Sequence, residues 1–208
     1  AKGMSVDAMV LFAAYGSLIV EIGLFPIASE ASVVQLVCRS EAASVPEIVA
    51  ARAASLPLRI LRYLVPTALC VALFALPLAV VLAPSSAAVL APWSRQELAW
   101  PGLTVLVFGR ALTFASVLQL RRAKRLDQLP GGLFRASRNP GLVGMFLMYA
   151  GLCLFTGGPW LWLGAPIYFG NMHVRVKYEE SDLRARFGTS WREYERSVPR
   201  YLPLPGLR

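Results

Sequence analysis

Histidine, cysteine and acidic side chains are the scarce components of this 208-residue chain. A single histidine, His173, excludes a multi-histidine metal centre. Cys38, Cys70 and Cys153 are odd in number and far apart, so they set up neither a disulfide framework nor a thiolate site, and no metal is expected. Only 12 Asp and Glu stand against 21 Lys and Arg, a formal net charge of +9. In a soluble chain that excess would suggest nucleic acid. The abundant residues point elsewhere. Apolar side chains make up 56% of the chain, against about 45–50% in a soluble domain, and they come in long blocks. Basic residues that flank such blocks on one side of a membrane account for the charge, so no nucleic-acid partner is expected.

A membrane span takes about 20 apolar residues. Blocks suited to spans lie at 8–28, 63–83, 101–120, 139–156 and 160–172. Glu21 and Arg110 interrupt the first and third. Charges at that depth turn toward a protein interior, and these two are candidate partners for each other. Between the first two blocks, 29–62 is mixed. Ser44-Val-Pro-Glu47 has the form of a capping box, and the segment reads as one or two helices at the membrane surface. Pro66 and Pro77 are expected to bend the second span. Residues 84–100 read as a short loop carrying interfacial Trp93 and Trp100. Gly157-Gly158-Pro159 is a tight turn that pairs the last two spans in a hairpin, and the last one is expected to continue into a helix bearing Glu179 and Glu180. Ala1-Lys2-Gly3 ahead of Met4 reads as vector-derived.

The expected fold is therefore all-α: a polytopic membrane protein of about five transmembrane helices, with a C-terminal helical hairpin and a cytoplasmic tail helix. Residues 1–208 form a single membrane domain. Arginines and lysines crowd the connections after the first and third spans and the C-terminal tail, whereas the other two connections hold only Arg95. That bias puts the N-terminus outside and the tail in the cytoplasm.

Two stretches stand apart from the spans. The first is Leu126-Asp-Gln-Leu-Pro-Gly-Gly-Leu-Phe-Arg-Ala-Ser-Arg-Asn-Pro-Gly-Leu-Val-Gly144. It ends by opening a helix, with Asn139 as a suitable N-cap and Pro140 in the first turn. Free N–H groups at such a terminus suit an anionic group. The second is Arg175-Val-Lys-Tyr-Glu-Glu-Ser-Asp-Leu-Arg-Ala-Arg-Phe-Gly188, followed by Trp191, Tyr194 and Val198-Pro199. Both stretches fall on the expected cytoplasmic face.

Together they resemble the isoprenylcysteine carboxyl methyltransferase family and its phospholipid-methyltransferase relatives. The family pattern runs Gly-x-Tyr-x-x-x-Arg-(His/Asn)-Pro-x-Tyr-x-Gly, then a helical hairpin, then Arg-x-x-x-Glu-Glu-x-x-Leu-x-x-x-Phe-Gly-x-x-(Tyr/Trp)-x-x-Tyr-x-x-x-Val-Pro. The likeness covers 119–203 and marks it as the cofactor-binding region, with spans and surface helices over 6–118. It implies an integral membrane enzyme using S-adenosyl-L-methionine on a lipophilic acceptor, such as an isoprenylcysteine carboxylate or another lipid-like substrate. Membrane lipids would be its surroundings.

The same resemblance implies roles residue by residue. Gln119 matches a cofactor-contacting glutamine. Leu126, Asp127, Gln128 and Leu129 match a cofactor loop that usually carries a histidine, which this chain lacks. Phe134 replaces a motif tyrosine. Asn139 and Pro140 match the (His/Asn)-Pro pair, and Gly141 and Leu142 follow, with Leu142 where tyrosine is usual. Glu179 matches a cofactor-contacting glutamate. Arg175, one turn earlier on the same helix face, matches the arginine that positions the acceptor.

The chemistry fits these residue types. Methyl transfer from a sulfonium needs binding, alignment and exclusion of water rather than activation of a leaving group. A guanidinium can hold a carboxylate in a fixed fork, and a carboxylate needs no base. A thiol or amine acceptor would be helped by one, for which His173 and Glu180 are candidates. Without the resemblance, Glu179 and Glu180 read as a solvated helix face paired with Lys177 and Arg184. Phe187, Trp191, Tyr194 and Tyr201 read as packing of the tail. Two rival readings share the architecture: an NADPH-dependent membrane reductase of the sterol-reductase type, and a non-enzymatic membrane protein that keeps the fold.

Overall fold

The computed structural model describes residues 11–16, 53–69, 71, 72, 75, 96–125, 131–157 and 159–202. Among them the chain is helical, without strands. Helix α1 (Leu56–Arg59) runs into a π-helical stretch, Ile60–Leu64, and stays helical to Leu69. Helix α2 is Gln96–Arg125 and α3 is Pro140–Thr156, with a 3-10 turn at Gly132–Arg135 between them. Helix α4 is Pro159–Ser197.

The interface of α2 and α3 is a meeting of backbones. A Cβ placed on Gly109 would lie 2.5 Å from the Met148 nitrogen, and one on Gly102 would lie 2.5 Å from the Phe155 nitrogen. On α3, Gly144 faces Thr113 and the Gly109 carbonyl, and Gly151 faces Leu106. These positions repeat every seven residues on each helix, so one face of each is kept bare for the other. Small-residue contact of this kind is how helices associate where lipid supplies no hydrophobic drive. Thr113 Oγ1 sits in the seam and donates to the Gly109 carbonyl at 2.9 Å.

Pro140 fills the first turn of α3, and Gly157 ends the helix at φ 61°. The chain then reverses into α4, and the expected hairpin forms. Tyr149, Cys153, Leu161, Tyr168 and Met172 make its core. The Tyr149 and Tyr168 rings stack at 4.6 Å, and the Tyr149 hydroxyl donates to the Leu161 carbonyl at 2.7 Å. Leu142 packs against the same cluster.

Several element boundaries differ from the sequence reading. Helix α2 starts at Gln96, inside the expected loop, and runs on through Arg121 and Arg122 to Arg125. Long basic side chains are good helix formers; they end the apolar face there, not the helix. The last span does continue into the helix bearing Glu179 and Glu180, as expected, and the kink comes later, at Gly188 (φ 55°, ψ −118°). Glycine alone takes that backbone without strain. The helical segment at Leu56 begins ahead of the expected second span. Among the described residues one helix, over Glu97–Ala123, is long and apolar enough to cross a membrane, and α3 is apolar but shorter. Most of the first two expected spans, Glu21 with its expected Arg110 pairing, and Ser44-Val-Pro-Glu47 lie outside the described residues.

Candidate functional site

The loop between α2 and α3 is tied down from three sides. From α2, Gln119 Oε1 accepts the Leu133 N–H at 2.9 Å. That contact needs Gly132, which sits at φ 66° and whose Cβ would stand 2.7 Å from Gln119 Oε1. From the tail, the Tyr194 hydroxyl donates to the Phe134 carbonyl at 2.7 Å, and the Arg138 N–H donates to the Pro199 carbonyl at 2.9 Å. Phe134 itself is buried in the 3-10 turn, so the motif position keeps its ring as packing.

From α4 comes Glu180. It is only 2% exposed, and its carboxylate gathers three partners. Arg200 donates to it through Nε at 3.0 and 3.1 Å and through Nη2 at 2.7 Å. Arg138 Nη1 lies 3.3 Å away. Asn139 Nδ2 donates to Glu180 Oε1 and to the Arg200 carbonyl, each at 3.3 Å. Arg138 also pairs with Glu195 at 2.9 Å, and Arg184 reaches the same carboxylate at 2.8 Å. A buried charge needs such partners. The hydrogen bonds to Glu180 hold the Arg200 guanidinium above its usual value. Burial would raise Glu195, but the bonds from Arg184 and Arg138 outweigh it and hold the carboxyl below its ordinary range. Burial pushes the Tyr194 phenol up to about 12.

This network revises two expectations. Asn139 occupies the N-cap position, but its side chain makes no cap bond; the amide reaches across to Glu180 instead, and its N–H donates to Ser137 Oγ at 3.1 Å. Glu180, read as a candidate base or a solvated residue, is the anchor that joins loop, α4 and tail. The aromatic tail residues pack as expected: Trp191 is buried, and Tyr201 lies against Phe146 and bonds His173 Nδ1 at 2.6 Å. Burial first, then the nearby charges of Lys177 and Arg200, lowers the proton affinity of His173.

The site residues inferred from the motifs therefore fall into groups. Gln119, Phe134, Asn139 and Pro140 converge at the end of the helical bundle where α2 ends and α3 begins. Gly141 is there too: its carbonyl accepts from Thr113 Oγ1 at 3.3 Å, and a Cβ would stand 2.7 Å from Ser116 Oγ. Leu142 turns into the hairpin core. Glu179 is exposed, beside Glu180 on the stretch of α4 that this network draws onto the loop. Arg175 lies one turn earlier on the same helix. Leu126, Asp127, Gln128 and Leu129 lie outside the described residues. The roles of Arg138, Glu195 and Arg200 were missed. Arg138 was visible as a motif arginine, whereas Arg200 had no local signal.

No curated protein and no solved structure matches the chain. The model of the phospholipid methyltransferase family matches residues 99–190, which take in nearly all of α2, the loop, α3 and α4 to just past its kink. Over that stretch the chain is similar to the phospholipid methyltransferase family, the group its two motifs resemble.

Proposed function

We propose that this protein is a membrane-embedded methyltransferase that uses S-adenosyl-L-methionine and transfers its methyl group to a lipophilic acceptor at the cytoplasmic face. One observation carries the reading. The Glu180 clasp ties Arg138 and Asn139, at the start of α3, to the helix that also bears Arg175 and Glu179, and this supports a shared site. Residues far apart in sequence then border one region at the polar end of an apolar helical bundle.

The residue types suit the cofactor's groups. A sulfonium and an amine call for a carboxylate, and Glu179 is an exposed one next in sequence to Glu180. The cofactor's own carboxylate suits the start of α3. When bound, S-adenosylmethionine supplies an activated methyl group and a neutral leaving group; Asp127 and Gln128 stand in the stretch where the family histidine is absent. Arg175 would hold an anionic acceptor, and the acceptor's apolar part would reach the site from the bilayer. Glu180, spent in ion pairs, is not the base, which leaves His173 as the candidate base for a thiol or amine acceptor, whereas a carboxylate acceptor needs none.

The test is calorimetric titration of S-adenosylhomocysteine and, separately, NADPH into the full chain in detergent, with Glu179→Ala alongside. Binding of S-adenosylhomocysteine that weakens about tenfold or more in the variant, as loss of a charged hydrogen bond would give, supports the proposal. NADPH binding alone would replace it with a reductase. Binding of neither to folded protein would leave a non-enzymatic member of the family.

A further inference from the structure

The helix that starts at Leu56 is built inside out. Leu56, Leu58, Leu61 and Leu64 are exposed, Leu61 at 64%, whereas Arg59 is exposed by only 6% and Tyr63 by 4%. A water-facing helix turns its apolar stripe inward; this one turns leucines outward, as suits lipid, and buries Arg59 and Tyr63, while Arg62 is exposed with the leucines. Tyr63 and Thr67 face α4, and Arg59, one turn before Tyr63, continues their stripe. The Tyr63 and Tyr178 hydroxyls lie 3.1 Å apart, and Asn171 Nδ2 donates to Thr67 Oγ1 at 3.4 Å. As the numbers rise on one helix they fall on the other, so the two run antiparallel along a polar seam. Arg175 sits in register between Asn171 and Tyr178 on α4.

At the Arg59 end the seam is incomplete. Neither Nε nor Nη1 of Arg59 has a hydrogen-bond partner among the described residues. A guanidinium stays charged in proteins, and burying one without a partner is costly enough that single buried cations are rare. The backbone that follows it, Ile60–Leu64, is π-helical, a distortion that recurs at functional sites.

We propose that Arg59 is the anion-binding end of a lateral site between this helix and α4, and that it takes the phosphate or carboxylate headgroup of an amphiphile whose chain stays in the bilayer. The fork of the guanidinium matches either oxyanion, and the leucine face gives the chain an apolar surface at the same depth. Arg59 lies outside the stretch that matches the family. The inference rests on the burial and the seam, and holds whether or not the protein transfers methyl groups.

The experiment uses the full chain in a neutral detergent. Dodecyl phosphate, dodecanoate, dodecanol and inorganic phosphate are titrated into wild type and Arg59→Met, with thermal unfolding followed in parallel. The two anionic amphiphiles should bind and raise the unfolding temperature, dodecanol and inorganic phosphate far less. Arg59→Met should weaken the anionic amphiphiles by about tenfold or more and, free of ligand, should unfold no earlier than wild type, since it removes a buried charge whose Nε and Nη1 have no partner among the described residues. Arg59→Lys, which keeps charge without the fork, should fall between. Equal binding by Arg59→Met overturns the proposal, as does inorganic phosphate binding as tightly as dodecyl phosphate. A strongly destabilised Arg59→Met and Arg59→Lys would mean the guanidinium is already satisfied, and would overturn it too. S-adenosylhomocysteine binding lost in Arg59→Met would assign the charge to the cofactor and end the lipid reading. Amphiphile binding by a wild type that ignores S-adenosylhomocysteine would remove the methyltransferase reading and leave this one standing.

Discussion

Along its length α3 is held to α2 by side chains that are missing, whereas at its N-terminal end the chain is held by charge. The first contact is a row of glycines that lets two backbones touch. The second is a carboxylate, Glu180, shared by Arg138, Arg200 and Asn139. The first contact has almost no chemistry and tolerates no added volume. The second has little close packing and depends on each charge finding its partner. The difference suits two surroundings: dispersion between bare helix faces serves inside lipid, and ion pairs serve where a bundle meets water.

The sharpest way to break this contrast is to remove the shared carboxylate. Glu180→Ala leaves the Arg138 side chain, 9% exposed, without its buried partner and frees Arg200 from α4. Breaking a buried pair from one side costs about 3–5 kcal/mol. Chemical unfolding in mild detergent should show a loss of that order, and Glu180→Gln, which still accepts hydrogen bonds, should lose less. A loss below about 1 kcal/mol, the level of an exposed pair, would mean the clasp does not hold the loop.

The glycine seam should answer to volume and ignore charge. Gly109→Val places atoms against the Met148 backbone, where no side chain can swing aside, and overpacking of this sort costs about 1–3 kcal/mol. Gly131→Val, at an exposed position with open space around its Cβ, is the matched control and should cost far less. Equal losses would show that the α2–α3 contact is not what makes Gly109 intolerant.

The two contacts were unequally legible in the sequence. The helical hairpin, the continuation of the last span toward Glu179 and Glu180, and the start of α3 at Pro140 follow from local rules about apolar blocks, proline and glycine, and all three are present. The seven-residue recurrence of Gly102 with Gly109 and of Gly144 with Gly151 was equally visible and is the signal that identifies the α2–α3 seam. The clasp was not visible. Glu180 and Arg200 are separated by a kink at Gly188, and nothing local says which of Glu179 and Glu180 turns inward; only the fold decides that Glu180 is buried and Glu179 exposed. Arg59 was hidden for a related reason. An arginine ahead of an apolar block reads as a flank of a span, and its burial depends on α4.

A milder perturbation of the charged end separates its parts. Tyr194→Phe removes the 2.7 Å bond to the Phe134 carbonyl and leaves the ring tilted against Trp191. One hydrogen bond is worth about 1 kcal/mol net. The same unfolding measurement should find a loss of that size, additive with Gly109→Val because the two sites share no partner. Strong non-additivity would join the seam and the clasp into one cooperative unit and dissolve the contrast between them.

The smallest expected effect is on pH, and only the charged end should show it. His173 has its proton affinity lowered in the fold, chiefly by burial, so unfolding releases it to take up a proton more readily. Its contribution to stability is complete above its ordinary value of 6.5 and declines as pH falls through that value toward the lower folded one. Glu195, also lowered, adds a second decline at more acid pH, below its ordinary 4.5. Both run in the same direction, so stability should fall in two steps on acidification. His173→Gln should flatten the upper step and leave the lower; Glu195→Gln should do the reverse. A Gly109→Val protein, less stable throughout, should keep both steps at the same pH values, because the seam it damages contains no group that titrates there.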